Sequence, residues 1–232
     1  MGDSEGRVHF RVVRFMHEAA LRLHMKSVPL ATACFIYHKF FREYAVKDFD
    51  PYLIGSTSIY LAGKVEEEHL KMRDVINVCY KTLHRRKAPL EIGDTYTALQ
   101  ESMASCELLI LRCLKFQVVF VHPHKYLLHY LKSLQSWFHR REWEETPIAS
   151  TAWALLRDSY HSSMCLHSNP EHVAVAVIYL ALQCYGVEVP YSKYADTPWW
   201  KAFCEDVTLD AIKAIIKDIL TTYDVEITFS TS

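Results

Sequence analysis

Two charged residues set beside apolar runs are the strongest chemical signal in the sequence. Lys64 follows the apolar run 59–63, and Glu107 precedes the apolar run 108–111. A charge on an apolar helix face costs free energy unless it is paired or hydrogen-bonded. Once paired, the two groups neutralise each other and still offer a partner charge-assisted hydrogen bonds, worth roughly 1.5–3 kcal/mol each. Spacing alone leaves a second interpretation open, namely two solvated charges at the edges of separate helix faces.

Local signatures of an enzyme or of a metal site are missing from the sequence. Thirteen histidines are present, but there is no His-Glu-x-x-His motif and no pair of Glu-x-x-His motifs. There is also no Gly-rich phosphate loop and no Gly-x-Ser-x-Gly elbow. We therefore expect no catalytic, metal or cofactor site, and a role in binding.

Charge and composition narrow the class of partner. The chain has 232 residues, 26 basic and 27 acidic, and a net charge of −1, so no global field favours nucleic acid or an anionic membrane. Its basic runs, 84–87 and 139–141, are short and fall in predicted loops or helix ends. No apolar run reaches the roughly 18 residues of a membrane helix. Seven scattered cysteines without a Cys-x-x-Cys pair predict reduced thiols in an intracellular protein.

Helical periodicity interrupted by proline predicts an all-α fold. A polar loop is expected at 84–92, and the β-branched run Val118–Val121 is too short and isolated for a sheet, so we interpret it as an extended linker. The first five predicted helices cover about 10–25, a stretch that Pro29 opens and that includes Phe41, 51–67, 73–83 and 94–114. After a restart, helices are predicted at 123–138, from Pro147 onward, from Pro170 onward, at 198–204 and at 209–223.

The second half of the chain repeats the pattern of the first. Residues 51–67 and 170–186 both open with proline and share Ile-Tyr-Leu-Ala, and residues 28–35 and 146–153 match at nearly the same offset. Two ordered matches indicate two copies of one five-helix unit. The predicted organisation is a short tail at 1–8, a first domain at 9–121 and a second at 122–232.

The string from Tyr60 to Glu67, followed by Glu107 ahead of an apolar helix ending at Phe116, resembles the cyclin box. The likeness runs from about residue 8 to residue 223 in two boxes. It implies an all-α fold of two tandem five-helix cyclin-box domains and a regulatory, non-catalytic heterodimer partner of a cyclin-dependent kinase. The separation of Lys64 and Glu107 resembles that of transcription-type cyclins. The strings 122–131 and 152–161 resemble the branch that partners the tenth cyclin-dependent kinase.

The resemblance also assigns roles to residues. In cyclins the box lysine and the helix-five glutamate bond backbone groups at the start of the kinase C-helix, and these correspond to Lys64 and Glu107. Equivalent positions in the second box are Gln183 and Ala214, so we expect the first box to bind the kinase and the second to be mainly structural. The remaining predicted kinase-binding residues are an apolar platform, Leu61, Val65, Leu111, Phe116 and Val118, and two residues near the kinase activation loop, Glu66 and Glu67.

Two other functions stay open at this point. Two-box helical repeats also occur in TFIIB-type transcription factors, which contact DNA. A helical scaffold that binds a kinase without activating it would carry the same motifs.

Overall fold

A proline with a capping residue before it starts one long helix in each half of the chain. The Asp50 carboxylate accepts a hydrogen bond from the Tyr52 backbone N–H at 2.9 Å, and helix α3 begins at Pro51. The Asn169 side chain does the same for Glu171 at 2.9 Å, and α9 begins at Pro170. Proline suits a first helical turn because it has no N–H to leave unpaired there. Both predicted starts are confirmed.

The computed structural model describes residues 3–190 and 197–230, with side chains from 5 to 190 and from 197 to 225. These ranges contain helices and loops and no strand, which confirms the all-α prediction. None of the described helices is long and apolar enough to cross a membrane. The helices are α1 Asp3–Arg22, α2 Ser27–Glu43, α3 Pro51–Val65, α4 Met72–Leu83, α5 Asp94–Cys113, α6 His124–Gln135, α7 Arg140–Glu145, α8 Ile148–Ser159, α9 Pro170–Tyr185 and α10 Leu209–Ser230.

Several predicted elements differ from the structure. Helix α1 starts about seven residues early, because no proline or capping residue interrupts the polar turn before the apolar stripe. The short helix α7 was not predicted, since its six residues carry no apolar period. The helix predicted near 198–204 is a 3-10 turn, Trp199–Ala202. The second half therefore does not repeat the five helices of the first one by one.

The chain separates into two compact units, Met1–Phe120 and Val121–Ser232. In the first unit α3 lies at the centre and packs against α1, α2, α4 and α5. Close packing needs small side chains: a Cβ on Gly55 would lie 3.1 Å from Val12 and 3.3 Å from Met16 on α1. A larger residue at that position would push α1 away from α3.

In the second unit α9 is the central helix and packs against α6, α8 and α10. Two histidines are buried at the start of α6. Nδ1 of His122 lies 2.9 Å from the Tyr160 hydroxyl, and the ring of His124 lies 5.4 Å from that of Trp153. Burial and the neighbouring imidazole of His124 lower the pKa of His122 to about 4, and burial lowers the pKa of His124 to about 4. Both side chains are therefore neutral at physiological pH.

These two pKa values predict acid sensitivity in the second unit. Below about pH 6.5 the unfolded chain binds protons that the folded unit does not, so the free energy of unfolding should fall as the pH drops towards 4. The expected loss is on the order of a few kcal/mol. Urea titrations at stepped pH can follow this unit by tryptophan fluorescence, because all five tryptophans lie in it: Trp137, Trp143, Trp153, Trp199 and Trp200.

A pair of variants isolates the contribution of the buried histidines. His124→Phe should flatten the pH dependence, whereas His139→Gln, at an exposed position, should leave it unchanged. Equal slopes for wild type and His124→Phe between pH 6.5 and 4 would contradict the assignment.

Candidate functional site

Helices α3 and α5 bring Lys64 and Glu107 together. Lys64 lies in the last turn of α3 and Glu107 near the end of α5, and the two helices pack side by side. The Lys64 Nζ atom is 2.7 Å from the Glu107 Oε1 atom. The Lys64 side chain is 49% exposed and that of Glu107 is 14% exposed. The pair is therefore a surface ion pair whose anion is largely sheltered by the protein.

The aromatic ring of Tyr60 completes the surroundings of the lysine. Tyr60 lies one helical turn before Lys64, and Nζ sits 4.3 Å from its ring centroid, within cation–π range. Partial burial by itself lowers the pKa of Lys64. The hydrogen bond and negative charge of Glu107, with a contribution from Tyr60, outweigh that effect, and the net pKa is raised. The lysine is thus held as a cation.

A tight turn ends α3 directly after the lysine. The Glu68 N–H bonds the Gly63 carbonyl at 2.8 Å, and Glu67 takes a left-handed conformation with φ of 55°. A Cβ on Gly63 would lie 3.0 Å from the Glu68 carbonyl oxygen and 3.0 Å from the Leu70 side chain. Glycine at this position lets the chain double back against α3, which fixes the end of the helix that carries Lys64.

Two of the three glutamates after α3 accept hydrogen bonds from other residues of the first unit. The Glu66 carboxylate accepts a hydrogen bond from the Thr32 hydroxyl at 2.6 Å. The Glu68 carboxylate accepts from the Lys26 N–H at 3.2 and 3.3 Å, where α2 lacks a side-chain cap of its own. Glu67 between them is exposed. Glu66, predicted to face a partner, is thus engaged with α2, whereas Glu67 is accessible.

The predicted apolar platform is only partly at the surface. Leu61 is 3% exposed and lies on the buried side of α3. Its assignment to a partner-facing platform is therefore corrected. Val65, Leu111 and Val118 are partly exposed, and Phe116 is 67% exposed.

One apolar residue was missed by the sequence analysis. Leu108 follows Glu107 on α5 and is 56% exposed. Its position in the run 108–111 carried no signal of its orientation, since only the rotation of α5 decides which of those residues face outward. Together with the ion pair it forms what we call the ion-pair surface: Tyr60, Lys64, Val65, Glu107, Leu108 and Leu111.

Phe116 is turned outward by an unusual backbone at the end of α5. Lys115 and Phe116 both adopt left-handed conformations, with φ of 52° and 59°. The Phe116 N–H bonds the Leu111 carbonyl at 2.9 Å, which closes the last turn of the helix. Left-handed backbone costs of order 1–3 kcal/mol for a residue with a Cβ, so the surrounding contacts must hold both residues in place.

The second unit has no ion pair at the two positions that the repeat matches to Lys64 and Glu107. Gln183 on α9 and Ala214 on α10 stand at the positions that the repeat matches to Lys64 and Glu107, and both are exposed. A neutral amide and a methyl group cannot form an ion pair, so the charged constellation belongs to the first unit.

Comparison with known proteins covers nearly the whole chain. A model of the cyclin N-terminal domain matches residues 4–119. Cyclin-K of Homo sapiens is 30% identical over 222 residues, which is 95% of this chain and 37% of that protein. Cyclin-T1-3 of Oryza sativa is 28% identical over 214 residues, covering 90% of this chain and 41% of that protein. The chain thus spans less than half the length of these two relatives.

Solved structures share the fold at low sequence identity. A chain in the crystal structure of the yeast RNA polymerase II CTD kinase complex CTDK-1 has a TM-score of 0.71 at 18% identity, covering 95% of this chain and 66% of its own length. A chain in the yeast TFIIK complex has a TM-score of 0.65 at 16% identity, covering 94% and 88%. Because the N-terminal domain model matches half of its residues, the chain belongs to the cyclin family.

Proposed function

We propose that this chain is a regulatory subunit that binds a cyclin-dependent kinase and activates it by holding the kinase C-helix in the active position. The observation that carries the proposal is the Lys64–Glu107 ion pair at 2.7 Å, set on an accessible surface with exposed apolar neighbours. Membership of the cyclin family supports it. The chain has no catalytic role in this proposal, because the kinase supplies all the reacting groups.

The ion pair is suited to bind the end of a helix in a partner. An ammonium group has three donors, and a carboxylate that bonds one of them through Oε1 keeps a second oxygen as an acceptor. Such a pair can bond both N–H and C=O groups of a partner's backbone. Burial of Leu108, Leu111 and Phe116 around it would add roughly 25 cal/mol for each Å² of apolar surface removed from water.

Activation follows from selective binding to one kinase conformation. A kinase transfers phosphate only when its C-helix glutamate pairs with the strand-three lysine. A subunit that binds only this helix-in state shifts the kinase population towards it. The first unit would supply this contact, and the second unit, which lacks the charged pair, would serve mainly as structure.

The finer proposal is a heterodimer with the tenth cyclin-dependent kinase. The strings 122–131 and 152–161 support it through their resemblance to cyclin-Q, also called cyclin-M. Similarity to cyclin-K and to the T-type and L-type cyclins supports a transcription-type branch, and with it a nuclear or cytoplasmic location. The accessible Glu67 would lie near the kinase activation loop.

A TFIIB-like function on nucleic acid has weaker support in the structure. Arg85, in the first basic run, pairs with Glu18, and Arg140, in the second, pairs with Glu144 at 2.8 Å. Cations already balanced by carboxylates release few counterions on meeting phosphate. Binding to duplex DNA should therefore be weak, with a shallow dependence on salt.

The ion pair should dominate the affinity for the kinase. Lys64→Ala or Glu107→Ala should weaken binding by about 2–5 kcal/mol, because the remaining charge would be desolvated without a counterion. Calorimetry with the purified kinase measures the change.

Lys64→Ala should alter the free energy of unfolding by less than about 1 kcal/mol, as expected for an exposed pair. Gln183→Ala is the matched control, and a loss similar to that of Lys64→Ala would mean that the second unit binds too.

The exposed apolar side chains of the first unit should contribute to kinase affinity separately from the ion pair. Leu108→Ala and Phe116→Ala should each cost more than about 1 kcal/mol of kinase affinity, as for residues central to an interface. Leu128→Ala provides the control, because Leu128 is 62% exposed in the second unit and Leu108 is 56% exposed in the first. Equal, negligible effects at Leu108 and Leu128 would exclude Leu108 from the interface.

Kinase activity separates an activator from a passive scaffold. Adding the chain to the isolated tenth cyclin-dependent kinase should raise its phosphoryl-transfer rate by at least roughly tenfold, since the helix-in state becomes the dominant one. Lys64→Ala should shift the activation curve to higher concentration. Saturable binding with no gain in rate would support the scaffold. Tight binding to a DNA duplex that weakens steeply as salt rises, in a parallel titration, would support the TFIIB-like function.

A further inference from the structure

We propose that the second unit holds a divalent transition-metal ion of the zinc type through His172, Cys204 and Asp206. The ligand atoms of His172, Cys204 and Asp206 lie within 4.8 Å of one another. His172 Nε2 is 3.2 Å from Asp206 Oδ2, and Cys204 Sγ is 2.9 Å from Asp206 Oδ1. The Glu171 Oε2 atom lies 3.9 Å from the same sulfur.

These separations are close to those of a tetrahedral zinc site. Zinc bonds of about 2.3 Å to sulfur and 2.0–2.2 Å to nitrogen or oxygen place neighbouring ligand atoms about 3.3–3.6 Å apart. The two distances to Asp206 involve different oxygens of its carboxylate and are slightly shorter than that range. Small side-chain rotations would bring one of these oxygens, the imidazole nitrogen and the sulfur onto one ion. A thiolate, an imidazole and carboxylates are also the donors that zinc accepts, whereas magnesium and calcium bind oxygen almost alone.

Rigid elements hold the ligands in place. Glu171 and His172 occupy the first turn of α9, whose start is fixed by Asn169 and Pro170. Cys204 follows the 3-10 turn Trp199–Ala202, and its neighbour Phe203 stacks on two aromatic rings, those of Tyr130 and Trp137, at centroid distances of 4.9 and 5.1 Å. Cys204 is 4% exposed and the Asp206 side chain is 70% exposed. An ion from solvent can therefore reach a sulfur that the protein shelters.

The cluster has a metal-free form that the ion would replace. Without metal, the Cys204 thiol donates a hydrogen bond to Asp206, and His172 pairs with the same carboxylate. On metal binding the thiol releases one proton to solvent, and the thiolate, the neutral imidazole and the Asp206 carboxylate bond the ion. The ion would tie the turn at 199–202 to the start of α9. His172 lies 32 residues before Cys204 in the sequence, so the three ligands form no local motif.

Cobalt(II) titration of the full chain tests the site, because cobalt takes zinc positions and a cobalt–thiolate bond gives a charge-transfer band in the near ultraviolet. A single cobalt ion should bind with such a band, and one equivalent of zinc should displace it. Cys204→Ser should abolish the band. Cys184→Ser, at an exposed cysteine on α9, should keep it. His172→Ala and Asp206→Ala should each lower metal affinity at least about tenfold.

Circular dichroism and thermal melts of each variant check that it folds, and zinc should raise the melting temperature of the wild type. If Cys204→Ser does not fold, the affinities of His172→Ala and Asp206→Ala decide the question. The proposal is overturned if the wild type shows no thiolate band, if the band survives in Cys204→Ser or disappears in Cys184→Ser, or if His172→Ala and Asp206→Ala both bind metal as the wild type does.

Discussion

Close packing of α3 against four neighbouring helices is the constraint on which the candidate site depends. The helix can occupy the centre of the first unit because its middle is built of small residues, Gly55, Ser56, Thr57 and Ser58, and the three hydroxyls bond carbonyls of their own helix at 2.8 Å. The buried hydroxyl groups are thereby hydrogen-bonded within α3, and the neighbouring helices can pack closely against it. The last turn of α3 lies at the surface. There the Lys64 side chain is partly exposed and pairs with Glu107 on α5.

An exposed ion pair of this kind does little for the stability of the free protein. The median surface pair contributes about 0–1 kcal/mol, and a half-exposed lysine loses side-chain entropy when it is held in one place. The same pair gains in importance when a partner covers it, because both charges are then desolvated and each depends on the other and on the partner's dipoles. Under the proposed function, the sheltered Glu107, the cationic Lys64 and the exposed Leu108 would form part of that covered state.

Local rules determine much of this fold, and tertiary packing determines the rest. Proline and cap pairs at residues 50–51 and 169–170 predicted the starts of both central helices correctly. The two charges beside apolar runs, taken with the resemblance to the cyclin box, predicted the ion pair. Leu61 was assigned wrongly because a periodic stripe gives the spacing of a helix face without its rotation about the axis. Glu66 was assigned to a partner because nothing local to it indicates that Thr32, on another helix, donates to it.

The two central helices carry their polar chemistry at opposite ends. Helix α3 ends in Lys64, whereas α9 ends in neutral Gln183 and instead carries Glu171 and His172 in its first turn. A helix start tolerates carboxylates because its N–H dipoles favour negative charge, and a helix end tolerates a lysine for the converse reason. The start and the end of the central helix are therefore electrostatically different positions. The first unit carries Lys64 at the end of α3, whereas the second unit carries a neutral amide at the end of α9 and, at its start, Glu171 and the proposed metal ligand His172.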